Sequence, residues 1–576
     1  MVSTSKSEGP ESLYDLLYAC QRGQRVAIVG SHTDKNELRN GLYVEQDEDK
    51  QVTKFFQEEY TDDGRLLILT GSAGDGKSAL LARGYDEAGG QIPPERVNMD
   101  ATEARRKNND YSDRLSAFFT EVIDEVVEGE GDRSAIAINY GLAVDFFERQ
   151  NQLEDFDPIW EAIQNSQTKS VYHSNSPNIT VINLSHRRTY NTDPESLGNG
   201  LVRDLIDRFD PTHNTSPFTD AYHREKSECP AGNQCLLQYN VRQLTNSDVK
   251  DQLARLFAGW SIVTGSYLNP RSIIDNIASL LLPVGLHDLP DHEICPVGAA
   301  IENDASKCTA DELIWNSIFK TLQTEELTEA SRIDPASQTT FKTDQRVLRW
   351  GTNTSEIIQK FPSLPEITFE SHIDRIQTLL RKEYVTKHDG ETIIEEPTFK
   401  EFAATLTFFN TEKNQKNLQD QAQELIKTTQ AALGGWTGRQ RNDGLVEFVD
   451  ANRSATHRYL SDWEEPGFDP EKSQKETKSL AVPGRIKLMA KPPAGTESNI
   501  PVPISFDTYR LMTQITEGYT PNATDLNQSH AIRMLHSRLE DFTNKRERVI
   551  IENRSGDDAI TIEDADLGIT VIPGED

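Results

Sequence analysis

Cationic residues are scarce: across 576 residues, 60 Lys and Arg stand against 93 Asp and Glu, a formal charge of −33. Such an excess keeps a chain soluble and repels a polyanion, which argues against a protein that coats DNA through its own surface. Two explanations compete for it, a surface adapted to a high-salt, halophilic cytoplasm where screening shortens self-repulsion, or ordinary acidity with no environmental meaning. The first is favoured. The basic residues that remain are mostly Arg, the form suited to bidentate contacts with carboxylate or phosphate.

Other absences narrow the field further. Five cysteines in so long a chain do not make a disulfide scaffold, which agrees with a reducing compartment. No apolar run approaches the length that spans a bilayer, and Met1-Val2-Ser3-Thr4-Ser5-Lys6-Ser7-Glu8 lacks the apolar stretch of a leader, so a cytoplasmic protein without membrane contact is expected. There is no H-E-x-x-H pair and no G-x-S-x-G elbow, and nothing reads as a nuclease centre. No internal repeat or low-complexity tract is evident.

What is present is a phosphate-binding pattern, G-x-x-x-x-G-K-[ST], at Gly71-Ser72-Ala73-Gly74-Asp75-Gly76-Lys77-Ser78. Glycines let the backbone bend so that successive N–H groups face phosphate, Lys77 is placed to reach the β and γ oxygens, and the Ser78 hydroxyl to hold Mg²⁺. The flanks agree: Arg65-Leu66-Leu67-Ile68-Leu69-Thr70 reads as a buried strand, and Ala79-Leu80-Leu81-Ala82-Arg83 opens a helix whose N-terminal end favours an anion. ATP with Mg²⁺ is the expected ligand pair, although the pattern does not separate ATP from GTP.

Hydrolysis also needs a carboxylate near the metal, a group to orient water, and cations over the phosphates. Asp100 ends one apolar strand and is the candidate for the metal or the water, with Glu103 as its rival and a helix cap as its structural alternative. A metal-side carboxylate usually ends an apolar strand, yet the best such strand, Ile136-Ala137-Ile138, ends in Asn139; Asn139 is a candidate for water or the γ-phosphate. Arg187 and Arg188 follow the strand Ile179 to Leu184, and Arg271 opens a later helix; each is a candidate phosphate sensor or arginine finger. Cys229, Cys235, Cys295 and Cys308 supply enough thiols for a structural zinc, but the gaps lack the tight C-x2-4-C knuckle, so ordinary thiols are the preferred reading.

Four regions follow from the patterning. Residues 1–60 form a small N-terminal element with a helix near 11–22 and a strand at Arg25-Val26-Ala27-Ile28-Val29. Residues 61–290 carry βαβ rhythm, interrupted by a polar stretch near 187–234 read as a partly ordered insertion. Residues 291–463 read as a mainly helical lid or middle region, to which the Pro270-Arg271 helix leads. A charged linker, Glu464 to Lys478, then precedes a small α+β module at 479–576, with strands near Val549-Ile550-Ile551 and Ala559-Ile560-Thr561-Ile562 and a helix from Asp525 to Phe542. The fold class predicted is α/β: a parallel sheet of the P-loop NTPase kind with helices on both faces, then a helical lid region and the C-terminal module. Basic clusters at Arg105-Arg106-Lys107, His186-Arg187-Arg188 and Lys545-Arg546-Glu547-Arg548 are the places where nucleic acid would be tolerated. With the charge at −33, DNA contact through a partner is the expectation.

Gly74-Asp75-Gly76-Lys77-Ser78, Asp100-Ala101-Thr102 and Ala137-Ile138-Asn139-Tyr140-Gly141, in that order and spacing, resemble the F subunit of DNA phosphorothioation-dependent restriction systems. The Pro270-Arg271 helix and a helix leading into Trp436-Thr437-Gly438 are similar in character. The resemblance implies a P-loop ATPase acting beside other restriction subunits against foreign DNA that lacks sulfur in its backbone. It also implies nucleotide contacts at Gly71, Gly74, Gly76, Lys77 and Ser78, with Asp100 and Asn139 as neighbours. Two other classes stay open: a nucleotide-gated scaffold with little hydrolysis, and a signalling ATPase that oligomerises on sensing a ligand.

Overall fold

In a computed structural model the described residues are 11–21, 37–57, 64–89, 92–101, 111–149, 153–175, 177–283, 289, 295–304, 308–322, 332–352, 359, 364–365, 367–410, 415–436, 445–448, 457–462, 467–478, 480, 484–491, 499–521, 525, 548–553, 559–565 and 568–573. They divide into two compact units. The first comprises Met1–Asn191, Glu195–Ser261 and Ser266–Ile394, the second Thr192–Pro194, Ile262–Gly265 and Glu395–Asp576. The protein is a mixed α/β chain with one mostly parallel five-stranded sheet, many helices, and small antiparallel sheets towards its C-terminus.

The parallel sheet organises the first unit. Strands β1 (Leu66–Gly71), β2 (Val97–Asn98), β3 (Ser134–Asn139), β4 (Val171–Asn175) and β5 (Asn178–Asn183) stand in the order β2-β3-β1-β5-β4. β4 pairs antiparallel with β5 at the edge, a hairpin that the sequence reading missed. Helices α1 (Leu13–Ala19), α2 (Glu37–Leu42), α3 (Asp47–Gln57), α4 (Lys77–Glu87), α5 (Tyr111–Glu128), α6 (Tyr140–Val144) and α7 (Leu153–Asn165) accompany it.

Alternation along β1 explains why Leu66 to Leu69 form an unbroken apolar run. Leu66 and Ile68 join a core with Phe119 of α5, Ala143 of α6 and Ile159 of α7, whereas Leu67 and Leu69 join a second core with Phe56 of α3 and Leu81 of α4. A strand buried on both faces favours a continuous apolar run, and each fully buried aliphatic contributes about 1.5–3 kcal/mol. The loop that follows β1 is therefore held at a fixed place and pitch.

Beyond β5 come α8 (Leu201–Phe209), α9 (Thr219–Glu228), α10 (Leu236–Gln243), α11 (Ser247–Thr264) and α12 (Pro270–Leu281). Part of this corrects the sequence reading: the polar stretch 187–234 is folded rather than partly ordered. Leu201, Val202, Leu205, Ile206 and Phe209 bury one face of α8, and Asp210 accepts a 2.7 Å bond from Lys250 of α11. Five apolar residues at helical spacing suffice to anchor a helix that otherwise reads as polar text.

Three further differences concern the C-terminal half. Strands β6 (Leu445–Phe448) and β7 (His457–Asp462) occupy the end of the segment read as mainly helical, and they join β11 (Arg548–Asn553), β12 (Ala559–Ala565) and β13 (Gly568–Pro573) in an antiparallel sheet ordered β13-β12-β11-β7-β6. Strands β8 (Gly467–Phe468), β9 (Ile486–Lys491) and β10 (Ile500–Ile504) make a second antiparallel sheet. Within the stretch read as a charged linker, Pro470–Lys478 is a helix that buries Ser473 and Thr477; their hydroxyls accept the backbone N–H groups of Met489 and Lys487, at 2.8 and 2.9 Å. Small polar residues on its inner face left no apolar stripe to read. The strand expected at Arg25 to Val29, Glu103, the Arg105 cluster, Thr437-Gly438, Lys545 to Glu547 and the span from Leu526 to Phe542 lie outside the described residues.

Candidate functional site

The loop between β1 and α4 bends as its glycines demand. Gly74 and Gly76 have φ of 92° and 91°, a left-handed conformation costly for any side chain. At Gly74 space adds a second constraint, because a Cβ would lie 3.0 Å from Asn269 Oδ1 and 3.1 Å from Arg271 Cβ. Gly76 is the N-cap of α4 and provides no side-chain cap, and the first turn of the helix contains no acidic residue. The leading amides of α4 thus keep their donors and their partial positive charge for an anion.

A network beneath the loop fixes its shape. Asp75 is almost fully buried; its Oδ2 accepts the Ser72 N–H at 2.6 Å and the Ser185 hydroxyl at 3.3 Å, and its Oδ1 accepts the Tyr267 hydroxyl at 3.1 Å. Burial raises the Asp75 pKa above the usual carboxylate value, opposed by the Ser72 amide and by Lys77. The loop is also tied to the start of α12: Asn269 donates to the Ala73 carbonyl at 3.3 Å and the Arg271 N–H to the Gly74 carbonyl at 3.4 Å. Asn269 simultaneously caps α12 by accepting the Ser272 N–H at 2.7 Å.

Lys77 crosses this structure from below. Its ammonium donates to the carbonyls of Gly71 at 3.2 Å and Ser72 at 2.6 Å, which leaves a third N–H for a ligand oxygen. Burial lowers its pKa, and the charges of Asp75 and Asp100 act against that.

Sheet order decides which groups stand beside the loop. Gly71 is paired in register with Asn139, so the amide of Asn139 ends the neighbouring strand, and its Oδ1 accepts the Gly141 N–H at 2.9 Å to cap α6. The Ala101 N–H donates to Ala137 of β3, which sets Asp100 at the end of the strand beyond.

These residues share one cavity of about 370 Å³. The loop residues Ala73 to Ser78, Asp100, Asn139, Arg187 and Arg271 line one part of it; Gly71 and Ser72 are not in its lining. Arg271 has a buried Nε with no hydrogen-bond partner. Arg187 faces Glu48 at 3.4 Å; Arg188 is half-buried, and partial desolvation lowers its pKa.

The rest of the cavity is largely apolar and comes from residues that the sequence reading left unassigned. Ala19, Cys20, Leu42, Tyr43 and Val44 approach from the N-terminal element, and Leu201, Leu205 and Ile274 from α8 and α12. The Tyr43 ring lies 4.5 Å beneath the Arg83 guanidinium, and its hydroxyl donates to Asp49. Ser185 and Tyr267 were missed as well, since nothing in their local sequence marks a partner 110 or 192 residues away. Asn269-Pro270 did carry a signal, an N-cap followed by Pro at the first helical position.

The four cysteines weighed for zinc, and preferred as ordinary thiols, separate into three and one. Cys229, Cys235 and Cys295 are buried with sulfurs within 4.8 Å of one another; Cys308 is buried elsewhere. The chain matches no protein-family model, no curated protein and no solved structure. Among the described residues no helix is long and apolar enough to cross a membrane.

Proposed function

We propose that the cleft binds a nucleoside triphosphate, ATP, with Mg²⁺, and hydrolyses it as the ATPase subunit of a phosphorothioation-dependent restriction complex. One observation carries the nucleotide part: a glycine-bent loop, braced by a buried carboxylate, opens onto an uncapped helix N-terminus in the same cavity as Lys77, Asp100, Asn139 and Arg271. A volume of about 370 Å³ with a polar end and an apolar end suits a nucleotide better than a bare phosphate. The restriction setting, the partner subunits and DNA contact through them rest on the sequence resemblance alone.

The residues fit the ligand pair in chemistry. The amides at the start of α4 and the third N–H of Lys77 would bind phosphate oxygens, and Arg271, with an unsatisfied buried Nε, would meet the outermost charge. Ser78 and Asp100 are the oxygen donors that would hold Mg²⁺, which when bound neutralises charge between the β and γ phosphates. Asn139 would orient water or a γ oxygen.

Lys77→Ala is the direct test. Phosphate release should fall at least about 100-fold, by analogy with loss of one preorganised transition-state donor. Full turnover by that variant, in a preparation with contaminating ATPases excluded, would remove the mechanism.

A second reading has its own support: the strand end beside the loop carries a neutral amide already engaged as a cap, with the carboxylate one strand away. On that reading the protein is a nucleotide-gated scaffold. Calorimetric binding without phosphate release, both for the protein alone and with partner subunits added, would favour it.

A further inference from the structure

A second centre of chemistry lies in the same unit at the end of α9. Cys229 follows that helix, Cys235 directly precedes α10, and Cys295 directly precedes the helix Pro296–Asn303. Three loops far apart in sequence thus bring three thiols together, all within 4.8 Å, and no disulfide joins any of the five cysteines, all of which are described. Thiols buried only as small hydrophobes have no reason to aim their sulfurs at a common point.

The surroundings are shaped for that convergence. The Gly298 N–H donates to the Cys295 sulfur at 3.2 Å. Such a donor stabilises thiolate rather than thiol. Gly298 has no room for a side chain, since a Cβ would lie 2.3 Å from Cys229 Sγ. One turn before Cys229, Glu225 is completely buried; its Oε1 accepts the Leu13 N–H at 2.5 Å, while Oε2 is buried with no hydrogen-bond partner and the carboxylate lies against Cys295. A buried carboxylate set against one of three converging thiols adds a further anionic group next to the cluster, a grouping that a cation would stabilise.

We propose that Cys229, Cys235 and Cys295 form a structural zinc site, with three sulfurs around a single Zn²⁺ and the Glu225 carboxylate beside it. Thiolates select zinc over magnesium or calcium. Loading releases the thiol protons to solvent and changes no oxidation state. The site ties the end of α9 to the starts of α10 and of Pro296–Asn303. It is independent of the nucleotide reading, and its test uses no nucleotide.

The test is elemental and spectroscopic, on the full-length chain grown with zinc and then desalted. Wild type should retain about one zinc per chain, with an X-ray absorption shell of about three sulfurs near 2.3 Å and one oxygen near 2.0–2.2 Å. Cys235→Ser and Glu225→Gln should each weaken zinc retention about 10–100-fold in competition with a chelator, and Cys308→Ser should leave it unchanged. Wild-type protein that takes up no zinc while all five thiols titrate as reduced would overturn the proposal. So would a disulfide between any two of the three cysteines, or a four-sulfur shell. Because the decisive spectrum comes from wild type, a variant that fails to fold does not shield the idea.

Discussion

The two five-stranded sheets of this protein put similar residues to different use. In the parallel sheet, β1 is buried at every position and Leu66 to Leu69 feed cores on both faces. In the antiparallel sheet, Ile560 of β12 and Val571 and Ile572 of β13 are 45%, 59% and 45% exposed. An apolar strand therefore does not by itself mean a core strand. The first sheet is a rigid mount for the loop at its C-terminal edge, whereas β13 is an edge strand with apolar side chains facing water.

That contrast is open to measurement. Ile68→Ala should cost about 2–5 kcal/mol in denaturant unfolding, since it leaves a cavity in a core that cannot collapse around it. A smaller loss would mean that β1 is not the mount described. Asp75→Ala should come next, at about 1–3 kcal/mol, because the Ser72 amide and the Tyr267 hydroxyl lose a buried partner. Nucleotide affinity should fall with it, whereas unchanged affinity would separate the brace from the binding loop.

Asp389 gives a smaller and pH-dependent effect. Hydrogen bonds first from Arg346 and then from Lys342 hold its carboxyl down at about 2, against 3.8 for the isolated group. The native state thus releases the proton more readily than the unfolded chain. The resulting stability is present above pH 3.8 and disappears as pH falls through 2. With Asp389 43% exposed it amounts to less than about 1 kcal/mol, and Asp389→Asn should flatten the acid limb of the unfolding profile by that much and no more. Last, Val571→Ala should stay within about 0.5 kcal/mol; a loss approaching that of Ile68→Ala would erase the distinction between the sheets.

Legibility in the sequence follows the same division. The loop and its flanking strand could be read because glycine spacing and an unbroken apolar run each have one dominant physical cause. Sheet order could not be read: the relation of Asn139 and Asp100 to the loop depends on β3 lying between β1 and β2, and chain order does not encode that. Tyr43 and Leu201 were invisible for the same reason, since they reach the cavity only through tertiary packing. Strand β10 was hidden by Pro501 and Pro503, which argue against a strand until its place at the edge of the described sheet, beside β9, is known. The three converging cysteines defeated a spacing rule because their loops, not a knuckle, bring them together.

The division of the chain into units bears on any attempt to dissect it genetically. Thr192–Pro194 and Ile262–Gly265 belong with the residues after Glu395, where Thr192 shares a 2.8 Å hydrogen bond with Thr407 and Gly265 abuts the Arg485 guanidinium. A gene cut at position 394 would leave both short segments stranded without their companions. Neither product would be an autonomous cassette, so separating the tasks of the two halves calls for point substitutions rather than shortened reading frames.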